Sequence, residues 1–329
     1  MQGFDPEFKT PRDYILGITE AIWEDRGLDL IRRWYGETGP VRSPAGIVSG
    51  AEAVIAATLG TLNEFPDRKV LGEDVICHEP GDGSFYSSHR IISTITHKGQ
   101  GPFGLPTGRA AAYRIIADCW CKDNQILEEW LIRDAGAMAM QLGTTPQALA
   151  RAQVRAAYNS GQPISMFKPE NDTPSAYQPV IENSGLAATY GAILNRVWRD
   201  KALRAVGESY ERGATVHGPS HGHHHGHDQI DHFLLGFLAA FPSATFTIEH
   251  LFARTDEAGR PHRAAARWSL RGPHTGFGRY GEPTGQDVYI MGISQAELAD
   301  GKITREYTLV DDVAIWKQVL ANEIAAGPA

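Results

Sequence analysis

Apolar residues along the chain fall into two regimes, helical spacing first and strand alternation afterwards, and the succession occurs twice. Ile18, Ile22, Leu28 and Ile31 mark a first helix. In the second half Ile230, Phe233, Leu234, Phe237 and Leu238 form one helical face, with Asp228 as its expected N-cap. Three strands then follow, "RAAARWSL", "QDVYIMGIS" and "ITREYTLVD", separated by Gly/Pro turns and by the "ADGK" turn. Helices first and an antiparallel sheet afterwards is the order of an α+β domain, not of alternating βαβ units. Between the halves, "TTPQALARAQVRAAY" predicts one helix with Pro146 at its first position. The stretch from Asn159 to Pro179 is irregular, and its Met166, Phe167 and Tyr177 predict that it packs on something.

The succession is a duplication. Arg90–Asp134 aligns without a gap on Arg267–Asp311: His97 meets His274, Gly99, Gly101 and Gly104 meet Gly276, Gly278 and Gly281, and Pro106-Thr107-Gly108 meets Pro283-Thr284-Gly285. Glu129 meets Glu306 and Asp134 meets Asp311. Upstream, Ile22–Tyr35 pairs with Val197–Tyr210, and Gly50–Pro66 with Gly226–Pro242, with one-residue slips between blocks as turn insertions produce. The expected organisation is a first domain over 1–141, a connecting segment with one helix over 142–185, and a second domain over 186–329.

The order helix, helix, "FP", strand, a glycine turn ending in "PTG", strand and "DGKI" resembles the SnoaL-like polyketide cyclase or ester cyclase family, in the nuclear transport factor 2-like superfamily. The resemblance covers Pro11–Gln141 and Leu186–Gln318. It implies two tandem cone-shaped α+β barrels, each a curved, mostly antiparallel sheet closed by helices around an apolar pocket. It also implies cofactor-independent acid/base chemistry by an aspartate on the last strand, at Asp134 or Asp311. Desolvation in such a pocket raises a carboxyl pKa toward neutrality, as proton abstraction beside a carbonyl requires. Arg90, Arg267, His97 and His274 are the repeated candidates to stabilise a developing enolate, and His217, His221, Tyr307 and Trp130 are further expected pocket residues. Each has a structural alternative: Asp134 and Asp311 as helix caps, Arg90 and Arg267 as ion-pair partners of Glu129 and Glu306, and His97 and His274 as turn residues. Cyclases of this group commonly carry a histidine on the strand after the PTG turn; neither copy has one.

Charge and composition narrow the function. A net charge of -8 without a basic cluster argues against nucleic acid as partner. No run of 18 apolar residues predicts a membrane span, and the start has no signal-peptide character, so a cytoplasmic protein is expected. Cys77, Cys119 and Cys121 are read as buried reduced thiols. More than half of the chain's 13 histidines lie between His217 and His232, in one copy only. That asymmetry predicts a working pocket in the second unit and a partly degenerate first unit. His221, His223 and His225 could converge on an ion, but a glycine-rich loop holds ligands loosely, so no metal and no cofactor are expected. The partner is a small-molecule substrate or ligand, and the repeat forms an intramolecular pseudo-dimer, with homodimerisation a further option. The alternatives to an enzyme of cyclase, isomerase or hydrolase type are a non-catalytic binder using the same pocket and a metal-dependent lyase or hydrolase at the histidine loop.

Overall fold

Each half of the chain folds as helices followed by a six-stranded sheet. The computed structural model describes residues 1–255 and 257–325; the last residues of the expected second domain, 326–329, lie outside them. In the first half the elements are α1 (Pro11–Thr19), α2 (Ile31–Trp34), β1 (Pro40–Ser43), β2 (Gly46–Ser49), α3 (Ala51–Glu64), β3 (Lys69–His78), β4 (Phe85–Thr96), β5 (Ala110–Lys122), β6 (Gln125–Arg133) and α4 (Ala135–Leu142). The second contains α5 (Pro146–Ser160), α6 (Gly185–Leu194), α7 (Arg204–Ser209), β7 (Tyr210–His217), β8 (His223–His225), α8 (Gly226–Ala240), β9 (Thr245–Arg254), β10 (His262–Pro273), β11 (Asp287–Ala299), β12 (Lys302–Leu309) and α9 (Asp312–Ala325). The sheet orders are β2-β1-β6-β5-β4-β3 and β8-β7-β12-β11-β10-β9, the same topology twice. All pairings are antiparallel except β1 with β6 and β7 with β12.

Local chemistry explains the repeated elements. Thr10 and Asp13 form a capping box at the start of α1, with Pro11 at its first position. The β5–β6 and β11–β12 hairpins turn on Asp123-Asn124 and Asp300-Gly301, all four at positive φ, the backbone a two-residue hairpin needs. The predicted first helix over Ile18–Ile31 is interrupted: a turn of π-helix spans Glu20–Glu24, and the chain breaks at Arg26, whose φ is 61°. At the start of α8 the N-cap is His225, and Asp228 lies inside the first turn rather than capping it. The histidine stretch is not a loop between helices. It forms the β7–β8 hairpin, the counterpart of β1–β2.

The chain divides into two compact units, Met1–Thr145 with Phe167–Gln178, and Pro146–Met166 with Pro179–Ala329. The connecting segment is therefore shared. Its helix α5 packs on α9 within the second unit, where Lys317 Nζ donates to the Ser165 carbonyl at 2.8 Å. Its irregular part joins the first unit: Phe167 is buried, and the Tyr177 ring lies 4.4 Å from Trp130. Arg42 ties the same segment down through Asp172.

The two cores differ. In the second unit one large apolar cluster runs from Ala187 to Val319. In the first there are two clusters, one around Tyr14, Ile18 and Cys121, the other around Phe65, Tyr113 and Met138.

Candidate functional site

The first unit encloses a cavity of about 120 Å³ lined by residues of both its apolar clusters. Ile15 and Ile18 of α1, Val54 of α3, Ile91 of β4 and Ile115 of β5 supply apolar wall. Strand alternation selects the rest: His89 and Ile91, then Ile115, Ala117 and Cys119, then Glu129, Leu131 and Arg133 share one face of the sheet.

Glu129 is the acid of this wall. It is 6% exposed, and its Oε2 accepts a hydrogen bond of 2.9 Å from the Tyr35 hydroxyl. Burial pushes its carboxyl above the usual glutamate range, against the opposing effects of the Tyr35 bond and the Arg133 charge. Oε1 has no hydrogen-bond partner among the described residues, so the carboxyl keeps one oxygen for a ligand. His89 is also on this wall; burial drives its pKa down to about 3, which makes it neutral, and its Nε2 has no partner. Gly72 fits against this ring, because a Cβ there would stand 3.0 Å from His89 Nε2. Burial raises the Cys119 thiol well above its ordinary range, so it is not a nucleophile at neutral pH.

Two arginines complete the lining. Arg68, just before β3, is 7% exposed, and its Nε lacks a hydrogen-bond partner. Arg133 ends β6, deep in the fold, with part of its surface open. Neither forms an ion pair with a carboxylate among the described residues.

In the second unit the matching interior is filled. Ile91 corresponds to Trp268 and Ile115 to Gly292, while Val70 and Thr61 correspond to Phe246 and Phe237. Trp268 is 1% exposed, stacks on Trp198 at 5.2 Å and donates from Nε1 to Ser294 Oγ at 2.9 Å. Gly292 makes room for it: a Cβ there would lie 2.2 Å from the indole. His89 and Arg133 are replaced by Ala266 and Val310. Glu306 survives as the counterpart of Glu129, but Tyr190 and Tyr210 bond both its oxygens, at 2.7 and 2.6 Å. In the first unit the position of Tyr190 is taken by Ile15, which lines the cavity, and the neighbouring Tyr14 donates to the Asn124 carbonyl. The apolar interior cavity therefore lies in the first unit and not in the second, where aromatic side chains occupy the matching space.

The residues singled out from sequence are dispersed. Asp134 and Asp311 are helix caps: Asp134 Oδ1 accepts from Ala137 N, and Asp311 Oδ1 from Val313 N and Ala314 N. Arg90 and Trp130 each neighbour an inward residue on a strand, so they face the opposite side. Arg90 pairs with Glu73, not Glu129, and Trp130 holds Arg42 over its ring at 4.7 Å. Arg267 precedes the inward Trp268 and faces outward likewise. His97 and His274 are wholly buried in the glycine turns, each Nδ1 3.3 Å from the threonine of the PTG triplet. His217 stacks on Tyr307 at 4.6 Å, on the face opposite Glu306. His221 is exposed in the hairpin, and His224 is packed on Phe233. Among the described residues no three His, Cys, Asp or Glu side chains are grouped so as to hold a metal ion. Asp311→Ala should cost about 1 kcal/mol of stability through the lost cap, read by urea denaturation, and should leave ligand binding in the first unit unchanged.

Sequence reasoning missed Tyr35, Arg68, His89 and Arg133. The repeat itself held a signal: Arg68, His89 and Arg133 align with Ala244, Ala266 and Val310, polar in one copy and apolar in the other, whereas Tyr35 is shared.

Residues 189–319 match the family model of SnoaL-like polyketide cyclases. The same sheet order recurs in the first unit, so the α+β fold is present in two tandem copies. Among solved structures, a protein from Jannaschia sp. CCS1 described as a putative SnoaL-like polyketide cyclase is 17% identical. That alignment covers 45% of this chain and 99% of that one, with a TM-score of 0.37. IdmH from Streptomyces antibioticus, described as a putative polyketide cyclase, is 20% identical over 41% of this chain and 99% of its own, with a TM-score of 0.35. No curated protein matches the chain. No helix among the described residues is long and apolar enough to cross a membrane. The SnoaL-like match falls on the unit whose interior is filled, so the open cavity belongs to the other copy.

Proposed function

We propose that the protein is a small-molecule enzyme whose working site is the cavity of the first unit, with Glu129 as general acid/base. One observation carries this reading: a buried carboxyl of raised pKa sits on the wall of an apolar cavity with one oxygen bonded to Tyr35 and the other unengaged. A perturbed acid in a cleft marks functional sites more often than structural ones. In the reaction proposed, the Glu129 carboxylate takes a proton from carbon beside a substrate carbonyl. The C–H electron pair passes into the enolate, and the protonated carboxyl returns the proton to carbon or oxygen. Arg133 offers N–H donors to the enolate oxygen as charge develops. Return at a different carbon is an isomerisation; attack by the enolate carbon on a second carbonyl is a cyclisation. The residue in the acid/base role is a glutamate on the last strand, in place of the aspartate expected from the family resemblance.

The test is exchange of α-hydrogens of 1-tetralone into D2O, followed by NMR with and without protein. Exchange above background, lost in Glu129→Gln, supports the reading; equal rates for both proteins reject it. A binder without catalysis would show no exchange while still holding a ligand.

The pH profile gives an independent check. Glu129 must be ionised to accept a proton, so activity should fall with decreasing pH through a pKa above the usual ~4.3 of glutamate. The Tyr35 bond lowers that pKa. Tyr35→Phe should therefore move the acid limb of the profile upward, and an unmoved or lowered limb would contradict the assigned partnership.

A further inference from the structure

We infer that the ligand of the first unit's cavity carries a carboxylate, bound by the guanidinium groups of Arg68 and Arg133. This deepens the proposed function and rests on the same cavity being the ligand site. A buried charge is costly unless paired, and guanidinium groups in protein interiors are normally satisfied by carboxylate or carbonyl oxygens. Here two arginines line one apolar cavity, and among the described residues neither has a carboxylate within ion-pair distance. Arg68 is more than nine-tenths buried, with Nε unpartnered.

The neighbouring groups offset the two positive charges only in part. Glu129, the carboxyl on this wall, is pushed toward its neutral form by burial. His89 is neutral, and Tyr113, hydrogen-bonded to Arg68, has its pKa lowered by the charges of Arg68 and Arg133 against the effect of burial. Burial and the charge of Arg68 lower the pKa of Arg133 against the opposing effects of Tyr113, Glu129 and Tyr35, so the two cations disfavour one another. An anionic ligand relieves both costs at once: a carboxylate offers two oxygens to planar N–H donors. Arg133, with five N–H groups, can serve the carboxylate and still face a carbonyl oxygen next to it. A small keto acid, its apolar body against Ile91 and Ile115 and its acidic C–H toward Glu129, fits that arrangement.

The second unit shows the same logic in reverse. Its counterparts of Arg68 and Arg133 are Ala244 and Val310, and there the interior is closed by Trp268. At these matched positions the two arginines and the open space of the first unit are replaced together in the second.

The probe pair is benzoate and benzamide, equal in shape and different in charge, titrated into the full chain by calorimetry. Benzoate should bind at least about tenfold more tightly, a difference near 1.4 kcal/mol. Arg68→Gln and Arg133→Gln should each erase that preference, and Glu129→Gln should keep it. Equal binding of the two probes, no binding of benzoate at millimolar concentration, or a preference that survives both arginine variants would overturn the proposal. Thermal melting separates a ligand-binding arginine from a structural one. Arg68→Met, which removes an unpaired buried charge, should raise the midpoint and abolish its increase with benzoate; a lowered midpoint with the benzoate shift intact would assign Arg68 to the scaffold. If benzoate preference stands while 1-tetralone exchange is absent, the acid/base reading fails and the anion site remains.

Discussion

Glu129→Gln should reduce carbon-acid turnover by about 10²–10⁴-fold, the range over which a positioned general base acts. The substitution is nearly isosteric, and the amide oxygen can still accept from Tyr35, so the cavity should keep its shape. What it loses is the ability to take a proton. Binding of benzoate should persist or tighten, because a carboxylate that repels the ligand when ionised has been removed. That combination, lost turnover with retained binding, is the signature sought by comparing NMR exchange rates with calorimetric titration. Turnover within a few-fold of wild type would remove Glu129 from the chemistry. Simultaneous loss of binding and of melting cooperativity would instead show a structural carboxyl, as Glu306 is in the second unit with both its oxygens held by tyrosines.

The largest effect on stability is expected in the other unit. Trp268→Ala should destabilise it by about 3–5 kcal/mol, the usual cost of deleting a large buried aromatic side chain. The site has little means to collapse. Gly292 against the indole has no side chain to move in, and Trp198 and Phe246 are already packed on the indole and on each other. The Ser294 hydroxyl also loses the indole donor, although Thr308 Oγ1 remains 2.9 Å from it. Guanidinium denaturation of wild type and variant measures the difference. A loss under about 1 kcal/mol would mean that the second unit repacks freely and that its filled interior is not the reason it lacks a cavity. The converse exchange tests the same idea in the first unit: Ile91→Trp with Ile115→Gly, importing the second unit's pair, should occupy the cavity and eliminate benzoate binding. A folded double variant that still binds would show that the lining positions are wrongly matched.

The two predictions join the duplication to function. One copy keeps a carboxyl–tyrosine pair beside open space with two arginines that no carboxylate among the described residues pairs, and the other keeps the carboxyl, holds it by two tyrosines and fills the space with aromatic rings. An interior packed to normal density is the more stable solution, and a cavity lined by polar groups is a cost retained where a ligand repays it. The second unit, which carries the SnoaL-like sequence pattern, has taken the first course.

Sequence alone determined the duplication, the helices-then-sheet order of each unit and the Asp-Gly turn before β12, but not the β7–β8 hairpin that the histidine stretch forms. The first three are local properties: helical periodicity, and Asp-Gly where positive φ is needed, depend on neighbours a few residues away. Glu129 and Glu306 were visible as repeated acids, though read there as partners of Arg90 and Arg267. Tertiary structure decided which side of each strand enters the interior and which interior stays open. Adjacent residues on a strand face opposite sides, so Glu129 and Trp130, or His89 and Arg90, are separated by the sheet, and pattern alone left that register free. Asp134 and Asp311 align as well as any pair, yet the strands β6 and β12 end before them and the carboxylates turn to cap helices. The location of the cavity is a property of summed volumes, since Trp268 over Gly292 closes one interior and Ile91 with Ile115 leaves the other open. No single residue carries that difference. It exists only once the walls face each other.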